Sequence, residues 1–371
     1  MKIIAALLGA MLLYELQRML YSRFWKKGLT IDLRFSDDKA VEGDQLSLIE
    51  TITNQKLLPI PVLKIKYMVS KFLSFSDTSQ TEVTDHTYRT DLFSIMMYQR
   101  LTRNIPFQCT KRGYYTIDKI FLVCNDILLE SELVSASDVK LQLYVYPRPI
   151  DFCKLQIPFQ RMFGTILTKR LLYEDPFEFK SIREYQSYDT MKSINWKASA
   201  KAGSLMVNVH DHTASQQIKI LLNIESDTLL KHDDLLEEGI RLTAALAAYF
   251  IEQGIPIALY TNAPDVISRE LLNAPAGSGP NHIRTINETL ARIDGTCTPP
   301  SFISILGEEL EPTASDDFIL LISSYQRADL QEKLIRLAQE KIDFIWIVPV
   351  DQEVILSVEG ELLAYVIPWE M

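Results

Sequence analysis

His210 and His212 flank Asp211, and on a strand the two imidazoles face the same way, as a pair of transition-metal ligands would. Two ligands do not make a site, and an exposed polar edge is the simpler reading. His86, His232 and His282 have no partners at a recognisable spacing. The four cysteines, Cys109, Cys124, Cys153 and Cys297, form no C-x-x-C pair and match no zinc-ligand pattern. They read as reduced, mostly buried thiols in a reducing compartment. The chain holds no G-x-x-x-x-G-K-[ST], G-x-G-x-x-G, G-x-S-x-G or H-E-x-x-H motif. Gly277-Ser278-Gly279 falls in a loop rich in Ala, Pro and Asn rather than at a strand-to-helix turn. A triad built from distant residues leaves no local trace, so an unrecognised enzyme stays as an alternative. The motifs present name no catalytic residue.

The most informative stretch lies between Asp175 and Lys201. It contains Asp175-Pro176-Phe177-Glu178-Phe179, Ile182-Arg183-Glu184-Tyr185, Asp189, and Ile194-Asn195-Trp196-Lys197-Ala198-Ser199-Ala200-Lys201. Residues 151–220 carry ten Lys/Arg against seven Asp/Glu, in a chain of 371 residues with net charge −10. The acidic total disfavours nucleic-acid binding, because phosphates require a basic footprint. A locally basic segment bearing aromatics suits docking to an acidic protein partner. The alternative is that Arg183, Tyr185, Asp189, Trp196, Lys197 and Lys201 lock this segment onto the next domain by ion pairing and packing.

The elements around that stretch are legible from hydrophobic period. Ile3 to Leu13 is almost wholly apolar, and weaker apolar character continues to Leu20. An 18-residue helix spans about 27 Å, just short of a hydrocarbon core of about 30 Å. Arg18, Arg23, Lys26 and Lys27 follow this run while only Lys2 precedes it, which puts the downstream chain in the cytoplasm. Tyr14, Tyr21 and Trp25 suit the membrane–water interface. Glu15, Gln17 and Arg18 also permit a helix lying flat in the headgroup region. Residues 1–27 are thus expected to be a cell-membrane anchor with a basic flank.

From residue 28 to 150 the period becomes two. Leu63, Ile65, Tyr67 and Val69 alternate with Lys64, Lys66 and Met68, and the connection Asn54–Pro61 contains two prolines. Short strands at regular spacing predict an all-β, immunoglobulin-like sandwich. Residues 151–215 read as a linker. From 216 to 371, short apolar runs (Ile218–Leu222, Pro256–Tyr260, Phe318–Ile322, Phe344–Val348) alternate with helical stripes such as Leu236, Ile240, Ala244, Ala247 and Ile251. That alternation predicts an α/β domain with a parallel, doubly wound sheet, whose ligands bind at the carboxyl ends of the strands.

Phe179, Ile182, Arg183, Tyr185, Asp189, Lys192, Ile194, Trp196, Ser199, Ala200 and Lys201 resemble the signature of the bacterial family called domain of unknown function 58. Tyr188 stands where that pattern has glycine. Lys111-Arg112-Gly113-Tyr114, Asp126 and Val145-Tyr146-Pro147 extend the resemblance upstream. The resemblance implies that residues 216–371 are a von Willebrand factor A-like domain. Domains of that kind often hold Mg²⁺ through D-x-S-x-S after the first strand and a second aspartate after a later one. Here the first positions read Asn223-Ile224-Glu225-Ser226-Asp227, and the later strand ends Ile322-Ser323-Ser324. The site is therefore degenerate, with Glu225, Ser226 and Asp227 as weak candidates for an oxygen site. No cofactor is expected, with Mg²⁺ as the alternative. The resemblance further implies a MoxR-type AAA+ ATPase as a protein partner. The resulting expectation is a non-enzymatic, membrane-anchored interaction or adaptor protein. The alternatives are a divalent-metal-dependent ligand-binding module and an unrecognised enzyme.

Overall fold

Leu63, Ile65, Tyr67 and Val69 are all buried, while Lys66 and Met68 face solvent, so the two-residue period becomes a strand with one wet face. The computed structural model describes residues 2–75, 81–83, 87–150, 179–185, 194–210, 217–227, 233–309, 317–340, 342–351 and 355–371. It divides into two compact units, Met1–Arg148 and Pro149–Met371.

The first unit opens with helix α1 (Lys2–Phe24), followed by ten strands: β1 (Leu29–Phe35), β2 (Lys39–Val41), β3 (Gln45–Asn54), β4 (Ile60–Val69), β5 (Leu73–Phe75), β6 (Thr81–Val83), β7 (Thr87–Ile95), β8 (Arg100–Cys109), β9 (Gly113–Asn125) and β10 (Glu132–Tyr146). One sheet runs β1-β3-β8-β5 and the other β2-β10-β9-β4-β7-β6. Leu48, Ile52 and Phe107 from the first meet Ile65, Phe93 and Leu143 from the second in one core, which makes a β-sandwich. Among the described residues, α1 is the one helix long and apolar enough to cross a membrane. Its last turns do not stand free. Tyr21 is 1 % exposed and Trp25 7 % exposed, both inside the sandwich core cluster. Expected as interfacial aromatics, these two instead root the helix in protein.

A second correction concerns Pro61. The two-proline connection was expected to run to that residue, yet β4 starts at Ile60 and lies between β9 and β7. The register against β7 shifts between Ile60 and Leu63, and pairing with β9 begins only at Val62. Pro61 thus sits at an irregularity where the ladder does not require its missing N–H.

The sandwich buries charge between its sheets. Arg89 and Asp91 on β7 form a two-pronged ion pair, Nε to Oδ2 at 2.8 Å and Nη2 to Oδ1 at 3.0 Å, and neither is exposed. Tyr67 Oη lies 2.8 Å from Asp91 Oδ2 and 2.9 Å from Oε1 of Glu50, which reaches across from β3. One hydroxyl proton serves only one of these contacts, and a proton kept on Glu50 satisfies the other. Burial, reinforced by Asp91, pushes the Glu50 carboxyl up to about 7.

The second unit contains β11 (Phe179–Glu184), α2 (Trp196–Ala202), β12 (Met206–His210), β13 (Ile218–Leu222), α3 (Asp233–Glu252), β14 (Ile257–Pro264), β15 (Leu271–Gly277), α4 (Pro280–Ala291), α5 (Phe302–Glu309), β16 (Phe318–Ile322), α6 (Ala328–Gln339), β17 (Phe344–Val350) and β18 (Val366–Glu370). Its large sheet runs β15-β14-β13-β16-β17-β18. Ile220, Leu222 and Leu320 pack with Ile240, Phe250 and Leu290 on one face. Leu221, Ile319 and Leu321 pack with Phe302, Leu330 and Leu334 on the other. Helices therefore cover both faces of a doubly wound α/β sheet. The sheet is not wholly parallel as expected, because β14 and β15 pair antiparallel at one edge. Leu271–Gly277 forms that edge strand and α4 starts at Pro280, so Gly277-Ser278-Gly279, expected in a loop away from any strand-to-helix turn, is itself such a turn.

The Glu50 proton has a consequence for stability. Its folded value lies above the ordinary glutamate value of about 4.5, so the native state binds the extra proton between those limits. The stability this group contributes is complete below about 4.5 and is lost as pH rises through 7. Glu50→Gln is expected to flatten that dependence, stabilising the protein at pH 8 relative to wild type by on the order of 1–3 kcal/mol and not at acidic pH. Urea melts of both proteins across that range measure it, and parallel pH profiles would rule it out.

Candidate functional site

The family-like stretch builds a small platform. β11 and β12 pair antiparallel, Arg183 opposite Val207 and Glu184 opposite Met206. Tyr185 N–H donates to Leu205 O at 2.8 Å, extending the pair by one residue. Asn195 caps α2, its Oδ1 accepting from Ala198 N–H at 2.9 Å. Gly203, at φ 72°, closes the helix with its N–H on Ser199 O. Ser199 Oγ donates to Asn195 O at 2.8 Å and accepts from Met206 N–H at 2.8 Å. One hydroxyl thus staples the helix to β12. On this fixed turn Trp196 is 65 % exposed, and Lys197 and Lys201 also face solvent. Arg183 and Tyr185 are half-buried, and Arg183 Nη1 donates to Glu184 O at 3.1 Å. Asp189, and the Asp211–His212 part of the histidine triplet, lie outside the described residues.

The second candidate sits at the carboxyl ends of β13, β14 and β16. Asn223, one residue past β13, accepts at Oδ1 from Glu225 N–H and from Asn262 Nδ2, both at 2.9 Å. Its own Nδ2 donates to Ser323 Oγ at 3.1 Å. Asn262 Oδ1 accepts from Ile224 N–H at 2.9 Å. Tyr325 N–H donates to Ser323 Oγ, and Trp346 Nε1 donates to Ser323 O, both at 3.1 Å. Asn223, Asn262 and Ser323 are all buried. They form a closed amide–hydroxyl knot joining three parallel strands.

The weak metal candidates stand beside this knot with other partners. Glu225 Oε2 accepts from the N–H of Phe302, the first residue of α5, at 3.0 Å. Asp227 Oδ2 accepts from Gln326 N–H at 2.9 Å, and Arg327 Nη2 donates to Asp227 O at 2.6 Å. Burial pushes both carboxyls above their ordinary range, opposed by those N–H donors. A cavity of about 30 Å³ is bordered by Asn223, Glu225, Ser226, Ser323 and Ser324. That is room for a water molecule or two. Among the described residues no three His, Cys, Asp or Glu side chains converge as a metal-holding group. Sequence reading missed Asn262 and the helix-start N–H of Phe302. A buried asparagine at the end of an apolar strand was the only local signal.

A sandwich unit and a doubly wound α/β unit carrying this signature platform define the class. Residues 181–359 match the family model described as protein of unknown function DUF58. No curated protein matches it. Solved structures similar to it include the CARDB domain of a Pyrococcus furiosus protein in complex with di-metal ions, at 15 % identity over 30 % of this chain and 91 % of that one, with a TM-score of 0.20. A cohesin–dockerin complex from Clostridium thermocellum matches at 14 % identity over 31 % of this chain and 99 % of that one, TM-score 0.22. A non-cellulosomal cohesin from Archaeoglobus fulgidus matches at 12 % identity over 31 % and 91 %, TM-score 0.22. Likeness at that level carries no functional argument.

The knot makes a stability prediction. Asn262→Ala removes the acceptor of Ile224 N–H and a donor to Asn223 while leaving both buried, at a cost of on the order of 1–3 kcal/mol or more. Denaturant unfolding of the full chain measures this, and an unchanged midpoint would show that the knot contributes nothing.

Proposed function

We propose that this chain is a membrane-anchored protein-interaction protein without catalytic activity of its own. In this reading α1 holds it to the cell membrane, with the bulk of the chain on the cytoplasmic side. Its α/β unit is von Willebrand factor A-like and presents a docking surface for a protein partner. The observation that carries the reading is Trp196. An indole 65 % exposed on a helix held by a cap, a glycine stop and a serine staple is a preorganised anchor. Tryptophan is over-represented among residues that dominate binding energy, and Lys197 and Lys201 beside it favour an acidic partner face. The family resemblance is what puts a MoxR-type AAA+ ATPase forward as that partner.

The divalent-metal alternative fares worse on chemistry. Mg²⁺ requires oxygens with free lone pairs. Both lone pairs of Asn223 Oδ1 are engaged, Glu225 and Asp227 each give one oxygen to a backbone N–H, and the remaining Asp227 Oδ1 has the Arg327 guanidinium 3.8 Å away, a cation already at that side of the carboxylate. We infer that these residues fit the cation poorly and that their role is to fix the surrounding loops. Calorimetric titration of the purified chain with MgCl₂ is expected to give no saturable heat; a saturable isotherm would restore the metal reading.

The interaction reading is tested with the full chain in detergent or nanodiscs and a purified MoxR-type ATPase from the same genome. Trp196→Ala is expected to weaken binding roughly tenfold or more, with the melting temperature unchanged. Lys197→Glu combined with Lys201→Glu is expected to weaken it and to reduce its salt dependence. Equal binding by wild type and Trp196→Ala would remove Trp196 from the interface, and no binding by wild type would remove this partner class.

A further inference from the structure

Loops at the tips of a soluble sandwich are ordinarily polar, because they end in water. At one end of this sandwich they are not. The β3–β4 loop exposes Leu57, the β7–β8 loop exposes the run Met96 to Tyr98, and the β9–β10 loop exposes Ile127 to Leu129. These loops belong to one end of the unit. Asn54 Nδ2 donates to Leu58 O at 3.0 Å and to Met96 O at 2.9 Å, tying the first loop to the second. Helix α1 ties in the first and the third: Tyr21 Oη donates to Pro59 O at 2.7 Å and Tyr14 Oη to Glu130 Oε2 at 2.7 Å. Two of the tips are strained in the same sense. Tyr98 at φ 50° and Leu129 at φ 61° occupy the left-handed region where a turn ordinarily places glycine or asparagine. Backbone strain is thus spent on holding large apolar side chains outward.

The apolar surface of α1 says what covers them. The helix long and apolar enough to cross a membrane is Lys2–Phe24, and its second half is tied to the loops through Tyr14 and Tyr21. On that half Leu16, Met19 and Leu20 remain exposed, so an apolar helix and apolar loop tips share one end of the unit. Arg23 and Lys27, also exposed, follow where lipid phosphates would begin.

We propose that the Leu57, Met96–Tyr98 and Ile127–Leu129 loop tips insert into the lipid bilayer around the root of α1, so that the sandwich is seated in the membrane surface. The inference rests on the reading of α1 as a membrane anchor. In it the tips shield the half-protein, half-lipid segment of the helix, and the partner is the apolar edge of a phospholipid bilayer. Loop insertion adds apolar burial to that of the helix.

The test uses the full chain reconstituted in phosphatidylcholine–phosphatidylglycerol vesicles whose acyl chains are brominated either near the headgroup or deep. Leu8→Trp reports the helix, and Leu128→Trp and Tyr98→Trp report two separate loops, each read as emission added to that of wild type. The expected result is that deep bromines quench the Leu8→Trp signal. Shallow bromines are expected to quench both loop signals roughly twofold or more, and more than deep ones do. Quenching at Leu8→Trp with none at either loop would overturn the insertion and leave the anchor standing. Quenching at none of the three would overturn the anchor and the insertion with it. The two loop positions are exposed and independent, so misfolding of one variant, detected by its melting curve, leaves the other decisive.

Discussion

Asn223 stands 4 % exposed at the end of a central parallel strand, where a carboxylate would need a cation to offset its desolvation. An amide in that place carries a donor and an acceptor but no charge. It can therefore close a hydrogen-bonded ring with Asn262 and Ser323 using protein groups alone. Everything else at that end of the sheet follows from this neutrality. Glu225 is left to hold the start of α5, and Asp227 to hold the turn leading into α6. The carboxyl end of the sheet is thereby fixed by hydrogen bonds among protein groups.

The sandwich meets a related problem differently. Its two sheets keep formal charges between them, with Arg89 and Asp91 paired and Glu50 facing them from the opposite sheet. The guanidinium of Arg89 also lies over the Phe75 ring, 4.8 Å from its centroid. Such a cluster is weak evidence for extra stability, because desolvation consumes much of the Coulomb gain. Its clearer effect is on specificity. Glu50 on β3 can meet Tyr67 on β4 and Asp91 on β7 in one sheet alignment only, and a one-residue slip would turn it to the other face. The cluster therefore sets how the two sheets register across the core.

How much of this was legible in the sequence depends on the range of the interaction. Period-two burial in β4 and strand–helix alternation after Ile218 are local, and both were readable. So was the apolar length of α1. What α1 touches was not, because a buried Tyr21 and an interfacial Tyr21 have the same sequence neighbours. Only the contact with Pro59, far along the chain, separates them. The same applies to Asn262, whose partners lie some forty residues away on each side of it in the chain. Trp196 shows the opposite limit: its motif was conspicuous, but nothing in it distinguished a buried indole from an exposed one. The cap at Asn195 and the staple at Ser199 made that distinction, since they satisfy the helix without using the indole.

Rooting α1 in the sandwich has a mechanical consequence that a tether would lack. Trp25 is buried directly after the helix, and β1 begins at Leu29, so the connection is too short to act as a flexible linker. Lys26 Nζ reaches Ser135 on β10 at 2.6 Å and adds a contact on the far side of the turn. Rotation of the helix about its axis would pull Tyr14, Tyr21 and Trp25 out of their places together, since they lie along one face of it. The sandwich is then oriented by the helix and cannot tumble on it. If α1 is held in a membrane, as proposed, the sandwich is fixed in orientation as well as location, and less rotational freedom would be lost on docking a partner.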